Sequence, residues 1–206
     1  MAFPIQRRFP QLLGAVALVV AALATAAQAP LADRKQAIPA LLQQERVASV
    51  SFAQINGGKT TIAEAYGLQS PGKTTSTTTL YNIASMSKPI SAEVVLRLAS
   101  EGRLSLDEPM SKDWVDPDLA DDLRARRLTP RLALDHQTGF ANWRRETKGK
   151  LVFVRDPGTS FGYSGEAYQY VARFAEKRTG ETFERLAQTL VFDPAGMSHT
   201  AYTQRP

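Results

Sequence analysis

Apolar residues recur at helical spacing in several parts of this sequence. The clearest pattern places four of them on one face of a helix: Ile90, Val94, Val95 and Leu98. Polar residues occupy several of the other positions, among them Ser91, Glu93 and Arg97, as in a helix with one buried face. Gly102 follows the pattern and is typical of a residue that ends a helix. The pattern therefore predicts an amphipathic helix that stops just before Gly102.

Residues 166–178 carry a second pattern of this kind, with Gly180 as its stop. Its apolar positions are Ala167, Tyr170, Val171 and Phe174. Weaker helical patterns cover residues 31–46, which include Pro39, residues 128–134 and residues 181–190. The second half of the chain is therefore predicted to be mainly helical, with turns at Asp116-Pro117 and Asp156-Pro157-Gly158.

A β-hairpin is predicted before the first amphipathic helix. Residues 47–55 place Val, Phe and Ile at strand spacing, and residues 60–66 return after the turn Asn56-Gly57-Gly58-Lys59. A polar, threonine-rich connection over residues 69–79 then leads to the helix. Strands followed by helices predict an α+β fold, with an antiparallel sheet, flanking helices and a mainly helical region.

The first 26 residues have the features of a signal peptide. Arg7 and Arg8 precede an apolar run over residues 12–24, and small residues follow. Cleavage is expected after Ala24 or Ala26. The alternative is a retained membrane anchor, although the run is short and rich in alanine. We therefore expect a periplasmic or secreted protein without a stable membrane anchor.

Composition narrows the functional classes. The chain has no cysteine, so an exported form relies on its core and not on disulfides. The net charge of +5 falls by two when Arg7 and Arg8 are removed, which argues against a nucleic-acid binder. A cluster of arginines is interpreted as a solvated helical face: Arg124, Arg126, Arg127 and Arg131. No motif indicates a metal or a cofactor.

Ser85 and Lys88 are the first candidate catalytic residues. Three positions apart on a helix they would share a face, so the lysine amine could take the proton of the serine hydroxyl. Ser85 would lie at the start of the helix, where free backbone N–H groups favour an oxyanion. The alternative is a helix N-cap serine beside an exposed lysine. A second S-x-x-K match, Ser70-Pro71-Gly72-Lys73, is excluded because its Pro-Gly pair belongs to a turn.

Tyr163 is the third candidate. It lies between glycines, in Phe161-Gly162-Tyr163-Ser164-Gly165, on a predicted loop before a helix. Near Lys88, its phenol could carry the proton from Ser85 to a leaving group. The alternative is an ordinary packed tyrosine, and the loop alone does not distinguish the two.

Taken together, the two motifs resemble those of the serine beta-lactamase and penicillin-binding-protein superfamily, in particular the class C beta-lactamase-related hydrolases and esterases. The order and spacing of Ser85-Met86-Ser87-Lys88 and Tyr163-Ser164-Gly165 match that family. Three further stretches resemble it: Leu104-Ser105-Leu106-Asp107-Glu108-Pro109, Asp135-His136-Gln137-Thr138-Gly139-Phe140-Ala141-Asn142-Trp143 and Phe192-Asp193-Pro194-Ala195-Gly196-Met197-Ser198-His199-Thr200.

The resemblance implies that Ser85 is the acylated nucleophile, Lys88 its proton acceptor and Tyr163 the catalytic tyrosine. It implies a structural turn at His136, which we interpret as a hydrogen-bonded packing residue and not as a triad base. Gly165 replaces the asparagine common in the family's second motif, so a side-chain amide is missing. Ester hydrolysis is thereby favoured over beta-lactam or peptide specificity.

The resemblance also implies a beta-lactamase/transpeptidase-like fold with a five-stranded antiparallel sheet. Its last three strands, and a third motif of Lys or His, Thr or Ser, and Gly, belong after Met197 and are not found before Pro206. One domain is expected over residues 27–206, with the hairpin and Ser85 helix in residues 31–103 and the helical region in residues 104–206. We expect a secreted serine hydrolase with a small-molecule or peptidoglycan-like substrate. The alternative is a truncated, weakly active or inactive member of the family.

Overall fold

The computed structural model describes residues 30–203. The predicted signal peptide, residues 1–26, lies outside the described residues. The chain divides into two compact units, and the boundary falls between Thr79 and Leu80. The candidate residues Ser85, Lys88 and Tyr163 all belong to the second unit.

The first unit begins with helix α1, Leu31–Gln44, which contains Pro39 as predicted. Ile38 and Leu42 are its buried apolar residues. Arg34 forms an ion pair with Glu64 at 2.6 Å, and this contact joins the helix to the sheet. The hydrogen bond to Arg34 is the main reason that the pKa of Glu64 is lowered.

The predicted hairpin is confirmed. Strand β1, Ser49–Asn56, pairs antiparallel with β2, Lys59–Ser70, and a bulge interrupts the register between Gln54 and Ile55. The turn is formed by Gly57 and Gly58, both with positive φ. Two successive residues of positive φ match the twist of a hairpin, and glycine adopts them without strain.

The connection over residues 69–79 differs in part from the prediction. Strand β3, Lys73–Thr74, pairs with the end of β2, so the sheet order in the described residues is β1-β2-β3. Pro71 and Gly72 form the turn between these two strands, which keeps Ser70 and Lys73 off any helix. The strand was missed because two paired residues produce no periodic pattern.

The second unit is mainly helical, as predicted. Helix α2, Lys88–Ser100, follows a 3-10 turn at Ala84–Ser87, and Gly102 lies just beyond it with φ +70°. Helix α3, Pro130–Leu134, has Thr129 as its N-cap. Helix α4, Gly165–Thr179, has Ser164 as its N-cap and ends at Gly180 in the left-handed region.

Residues 181–190 form a helix that differs in detail from the prediction. Helix α5, Phe183–Ala187, continues as a π-helical turn, Gln188–Phe192, before Asp193-Pro194. Near the end of the described residues, the hydroxyl of Tyr202 donates to the carbonyl oxygen of Ser87 at 2.9 Å. The same hydroxyl contacts Ser91, so this segment is attached to the start of α2.

The arginine cluster is solvated as predicted at Arg126, Arg127 and Arg131, but it does not form one helical face. Residues Leu123–Arg127 form a 3-10 helix and Arg131 lies separately in α3. Arg124 pairs with Asp122 at 2.7 Å, and Arg131 pairs with Asp107 at 2.6 Å. Specific carboxylate partners, which sequence spacing did not indicate, hold these side chains apart. Three other 3-10 helices complete the unit: Met110–Lys112, Pro117–Leu119 and Arg144–Thr147.

The core of the second unit lies between α2, α4 and the segments that join them. Ile90 is only partly buried, whereas the other residues of the two predicted faces are buried there: Val94, Val95, Leu98, Ala167, Tyr170, Val171 and Phe174. Phe140 joins them from the loop after α3. No helix among residues 30–203 has the length and apolar character needed to cross a membrane.

Candidate active site

The residues just before α2 adopt an unusual backbone. Ala84 has φ +46°, which is uncommon for a residue with a Cβ. The side chain of Asn82 accepts a hydrogen bond from Ala84 N at 2.8 Å, and the hydroxyl of Ser87 donates to Ala84 O at 2.6 Å. These two bonds hold Ala84 in place, and Ser85 follows it as an exposed residue. Strained backbone held by its surroundings is common at functional sites.

Lys88 lies directly beside Ser85. Its Nζ donates to Ser85 Oγ at 2.9 Å. The prediction that Ser85 itself begins the α-helix is wrong, because Ser85 belongs to the 3-10 turn and the α-helix begins at Lys88. The side chains still meet, since a 3-10 helix has three residues per turn and brings positions i and i+3 into line. Pro89 is the second residue of α2, where a missing N–H removes no helical bond.

Tyr163 approaches Ser85 from the loop before α4. Its hydroxyl donates to Ser85 Oγ at 2.8 Å, although 78 residues separate them. The next residue, Ser164, is fully buried; its Oγ accepts from Ala167 N at 3.1 Å and donates to Ala141 O at 2.8 Å. The N-cap of α4 thereby fixes the position of Tyr163, whose side chain remains 43% exposed.

The charge of Lys88 acts on the tyrosine as well as on the serine. Its Nζ lies 4.8 Å from the centre of the Tyr163 ring and 5.7 Å from that of Tyr168. Hydrogen bonding to Lys88, and then to Ser85, lowers the pKa of Tyr163. A phenol that gives up its proton more easily than usual is suited to proton transfer.

His136 is a hydrogen-bonded packing residue, as predicted. Its Nδ1 accepts from Ser164 N at 3.0 Å, and its ring lies 4.5 Å from that of Tyr163. Burial, and then the charge of Lys88, lowers the pKa of His136. No hydrogen bond joins His136 to Ser85 among those found in the described residues, so the geometry does not form a serine-histidine pair.

The glycine of the second motif lies against Trp143. A Cβ at Gly165 would be 2.4 Å from Trp143 Cη2 and less than 3 Å from two more indole carbons. Gly165 N is bonded to the side-chain oxygen of Asn142 at 2.9 Å. The indole therefore occupies the space into which any side chain at position 165 would first extend.

A charged network joins the loop of Trp143 to the start of α4. Glu166, which is buried, accepts from Arg144 N at 2.9 Å and from Arg144 Nε at 3.0 Å. The same guanidinium reaches Asp116 at 3.1 Å and Asp118 at 3.3 Å. A buried carboxylate that has two charge-assisted bonds holds this loop firmly beside the Tyr163 segment.

Sequence reasoning missed two residues of the site. Asn82 was not considered, although asparagine often forms a turn in which its side-chain oxygen accepts from the backbone N–H two residues later, as it does here from Ala84. Tyr168 was not considered, although it lies five residues after Tyr163. Its hydroxyl donates to Leu134 O at 3.1 Å, and its ring packs 5.1 Å from that of His136.

The family model described as Beta-lactamase matches residues 34–206. The chain belongs to the beta-lactamase family. The predicted resemblance to the serine beta-lactamase and penicillin-binding-protein superfamily is therefore confirmed, and it covers nearly all of the described residues.

Two curated proteins are similar in sequence to this chain. The chain is 29% identical over 203 residues to "Esterase EstB" of Burkholderia gladioli, which covers 82% of this chain and 51% of that protein. It is 24% identical over 181 residues to "Protein flp" of Staphylococcus aureus, with 79% of this chain and 36% of that protein covered. The chain thus spans about half or less of the length of these curated relatives.

Solved structures show the same fold. A putative beta-lactamase from Bacteroides dorei aligns with a TM-score of 0.64 and 24% identity, over 84% of this chain and 53% of that one. An octameric penicillin-binding protein homologue from Pyrococcus abyssi aligns with a TM-score of 0.63 and 23% identity, over 80% of this chain and 42% of that one. The α+β, beta-lactamase/transpeptidase-like fold class is confirmed.

Proposed function

We propose that this chain carries the catalytic centre of a serine hydrolase of the class C beta-lactamase-related type, which works through an acyl-enzyme. The observation that carries the proposal is the arrangement around one atom. Ser85 Oγ accepts hydrogen bonds from Lys88 Nζ at 2.9 Å and from Tyr163 OH at 2.8 Å. A hydroxyl bonded to two proton-transfer groups is the arrangement that nucleophilic catalysis requires.

Lys88 acts as a base after it has lost one proton to solvent, and the reaction begins when its free amine takes the proton of Ser85. Ser85 Oγ forms a bond to the carbonyl carbon of the substrate, and the carbonyl oxygen becomes an oxyanion. The backbone N–H of Ser85 is one donor to this oxyanion. The bond to the leaving group then breaks, and the leaving group takes the proton from Lys88 by way of Tyr163. An acyl-Ser85 ester remains.

Hydrolysis of the acyl-enzyme reverses the proton path. Water gives a proton to Tyr163 as Tyr163 passes its own proton to Lys88, and the water oxygen attacks the carbonyl carbon of the acyl-Ser85 ester. The bond between that carbon and Ser85 Oγ breaks, and the oxygen recovers the proton. The lowered pKa of Tyr163 supports this role, because the phenol must accept and release a proton in each half of the cycle.

The substrate is an ester, an amide or a beta-lactam, and we favour an ester. At Gly165 the chain offers no side-chain amide, and Trp143 fills the adjacent space, so recognition of a substrate amide loses one partner. The named activity of the relative in Burkholderia gladioli, an esterase, agrees with this choice. Without a side-chain amide at position 165, the site discriminates less strongly in favour of substrates that carry an amide group.

We also propose that the enzyme acts outside the cytoplasm, in the periplasm or the medium. The support is the run of Arg7, Arg8 and apolar residues 12–24. We propose a small-molecule or peptidoglycan-like substrate there.

A covalent probe tests the proposal. The full chain is treated with a fluorophosphonate probe, and the labelled peptide is identified by mass spectrometry. We expect label on Ser85, and we expect Ser85→Ala to abolish it. Ser70→Ala is the matched control, because Ser70 belongs to the other S-x-x-K match but lies at a turn. Labelling that survives Ser85→Ala would refute the assignment.

The proton-transfer groups are tested by the rate of the same labelling. Lys88→Ala and Tyr163→Phe should each slow the acylation of Ser85 about a hundredfold or more, as the loss of a general acid or base does. A chromogenic ester and a chromogenic cephalosporin, assayed in parallel, distinguish the substrate classes. Rates for both variants close to wild type would show that Ser85 is activated by other groups.

A further inference from the structure

His136 binds the peptide groups on both sides of Tyr163. Its carbonyl oxygen accepts from Gly162 N at 2.8 Å, and its Nδ1 accepts from Ser164 N at 3.0 Å. The backbone of Tyr163 lies between these two amides. One residue, far from Tyr163 in sequence, therefore fixes the direction from which the phenol reaches Ser85.

The His136 ring also supports the phenol ring. The two rings lie 4.5 Å apart with an angle of 32°, and Tyr168 and Phe161 pack on the same imidazole at 5.1 and 5.7 Å. The Tyr163 ring is otherwise partly exposed, at 43%. A half-exposed side chain that must hold its hydroxyl at hydrogen-bond distance needs such a support.

Only the neutral form of His136 can accept the hydrogen bond from Ser164 N. An imidazole accepts at Nδ1 when its proton is on Nε2, whereas an imidazolium has N–H groups at both positions and accepts at neither. The charged and titratable groups around the ring are Lys88, Asp135, Tyr163 and Tyr168. A second positive charge here would face Lys88, and Asp135 opposes this effect only in part.

We propose that His136 is the positioning residue of Tyr163: as a neutral imidazole it holds the catalytic phenol on Ser85, and protonation releases it. This inference rests on the proposed function, because it assigns Tyr163 a role in proton transfer. It adds to that function a pH switch at His136. Activity is lost in acid when His136 gains a proton, independently of the protons on Lys88 and Tyr163.

The sign of the pH effect follows from the structure. Burial and Lys88 lower the pKa of His136 in the folded chain below the ordinary value of 6.5. The folded chain therefore binds this proton less readily than the unfolded chain. The contribution of His136 to stability is complete above pH 6.5 and is lost as the pH falls through the lowered pKa.

Two substitutions separate the hydrogen bond from the titration. His136→Asn keeps an acceptor, since Oδ1 of asparagine is as many bonds from the backbone as Nδ1, and asparagine tolerates the φ of +57° found here. His136→Ala removes the acceptor. We expect the alanine variant to lower kcat about ten- to a hundredfold with little change in KM, as misplacement of a reacting group does. The asparagine variant should recover most of that loss.

The pH dependence is measured as the ratio of wild-type kcat to that of His136→Asn. Ionisation of Lys88 and Tyr163 that does not depend on the charge of His136 affects both proteins and cancels in the ratio. We expect a constant ratio above about pH 6.5 and a fall at lower pH, since only the wild type contains the titrating ring. A ratio that does not change as the pH falls through the His136 midpoint, measured by NMR on the same protein, would overturn the proposal.

A second measurement does not depend on activity. Ser85→Ala is inactive under the proposed function but keeps the contacts of His136. The chain has two histidines, so His199→Gln leaves the NMR signals of His136 alone. We expect His136 Nδ1 to carry no proton at neutral pH. We also expect the chemical shifts of the Tyr163 ring to change with the same pH midpoint as those of His136. If the Tyr163 signals do not change as His136 titrates, the positioning role is wrong. If they change but the wild-type chain hydrolyses no substrate, only the proposed function fails.

Discussion

The contact between Gly165 and Trp143 makes a quantitative prediction. In Gly165→Ala, the new Cβ would lie 2.4, 2.6 and 2.7 Å from three indole carbons, whereas ordinary contacts between carbon atoms are about 3.5–4.0 Å. The backbone cannot retreat easily, because Gly165 N is bonded to the backbone and the side-chain oxygens of Asn142, at 3.0 and 2.9 Å. The indole must move instead.

The expected cost is that of overpacking, about 1–3 kcal/mol in the free energy of unfolding. For a chain of this size, about 2–4 °C of melting temperature corresponds to each kcal/mol. Gly162→Ala is the matched control. Its Cβ would meet the guanidinium of Arg155, the flexible end of an exposed side chain, so we expect a change within about 0.5 kcal/mol.

A double-mutant cycle isolates the contact. Urea unfolding is followed by circular dichroism for wild type, Gly165→Ala, Trp143→Leu and the double variant. In the Trp143→Leu background the smaller side chain leaves room, so Gly165→Ala should lose most of its cost, and the coupling should be about 1 kcal/mol or more. Equal costs in both backgrounds, or a Gly165→Ala protein as stable as wild type, would refute the role given to the indole.

Two further predictions concern the phenol and the N-terminus. The pKa of Tyr163 is lowered chiefly by Lys88, so ultraviolet titration should find a tyrosine that ionises below the usual value of 10, and Lys88→Ala should raise its midpoint; an unchanged midpoint would contradict this cause. Because Tyr163→Phe removes this titration, it identifies the signal. We also expect export to remove 24 or 26 residues, and an intact mass that retains Met1 in exported protein would exclude a cleaved signal peptide.

The sequence by itself determined the local elements of this protein. The spacing of Val94, Val95 and Leu98 predicted the buried face of α2, and Gly57-Gly58 predicted the hairpin turn. The pairing of Ser85 with Lys88 was also predictable, since both α-helical and 3-10 geometry bring residues three apart together. Such features depend on neighbours within a few residues, and those neighbours are visible in the sequence.

Tertiary structure alone decided how the phenol is held. Tyr163 was singled out by its motif and its resemblance to a family, but its contact with Ser85 spans 78 residues. The hydrogen bonds from the Gly162 and Ser164 amides to His136, and the packing of Trp143 on Gly165, arise where the segment after α3 meets the segment before α4. No periodic pattern encodes such contacts, because they depend on the path of the chain between the elements and on which side chains fill the space that remains.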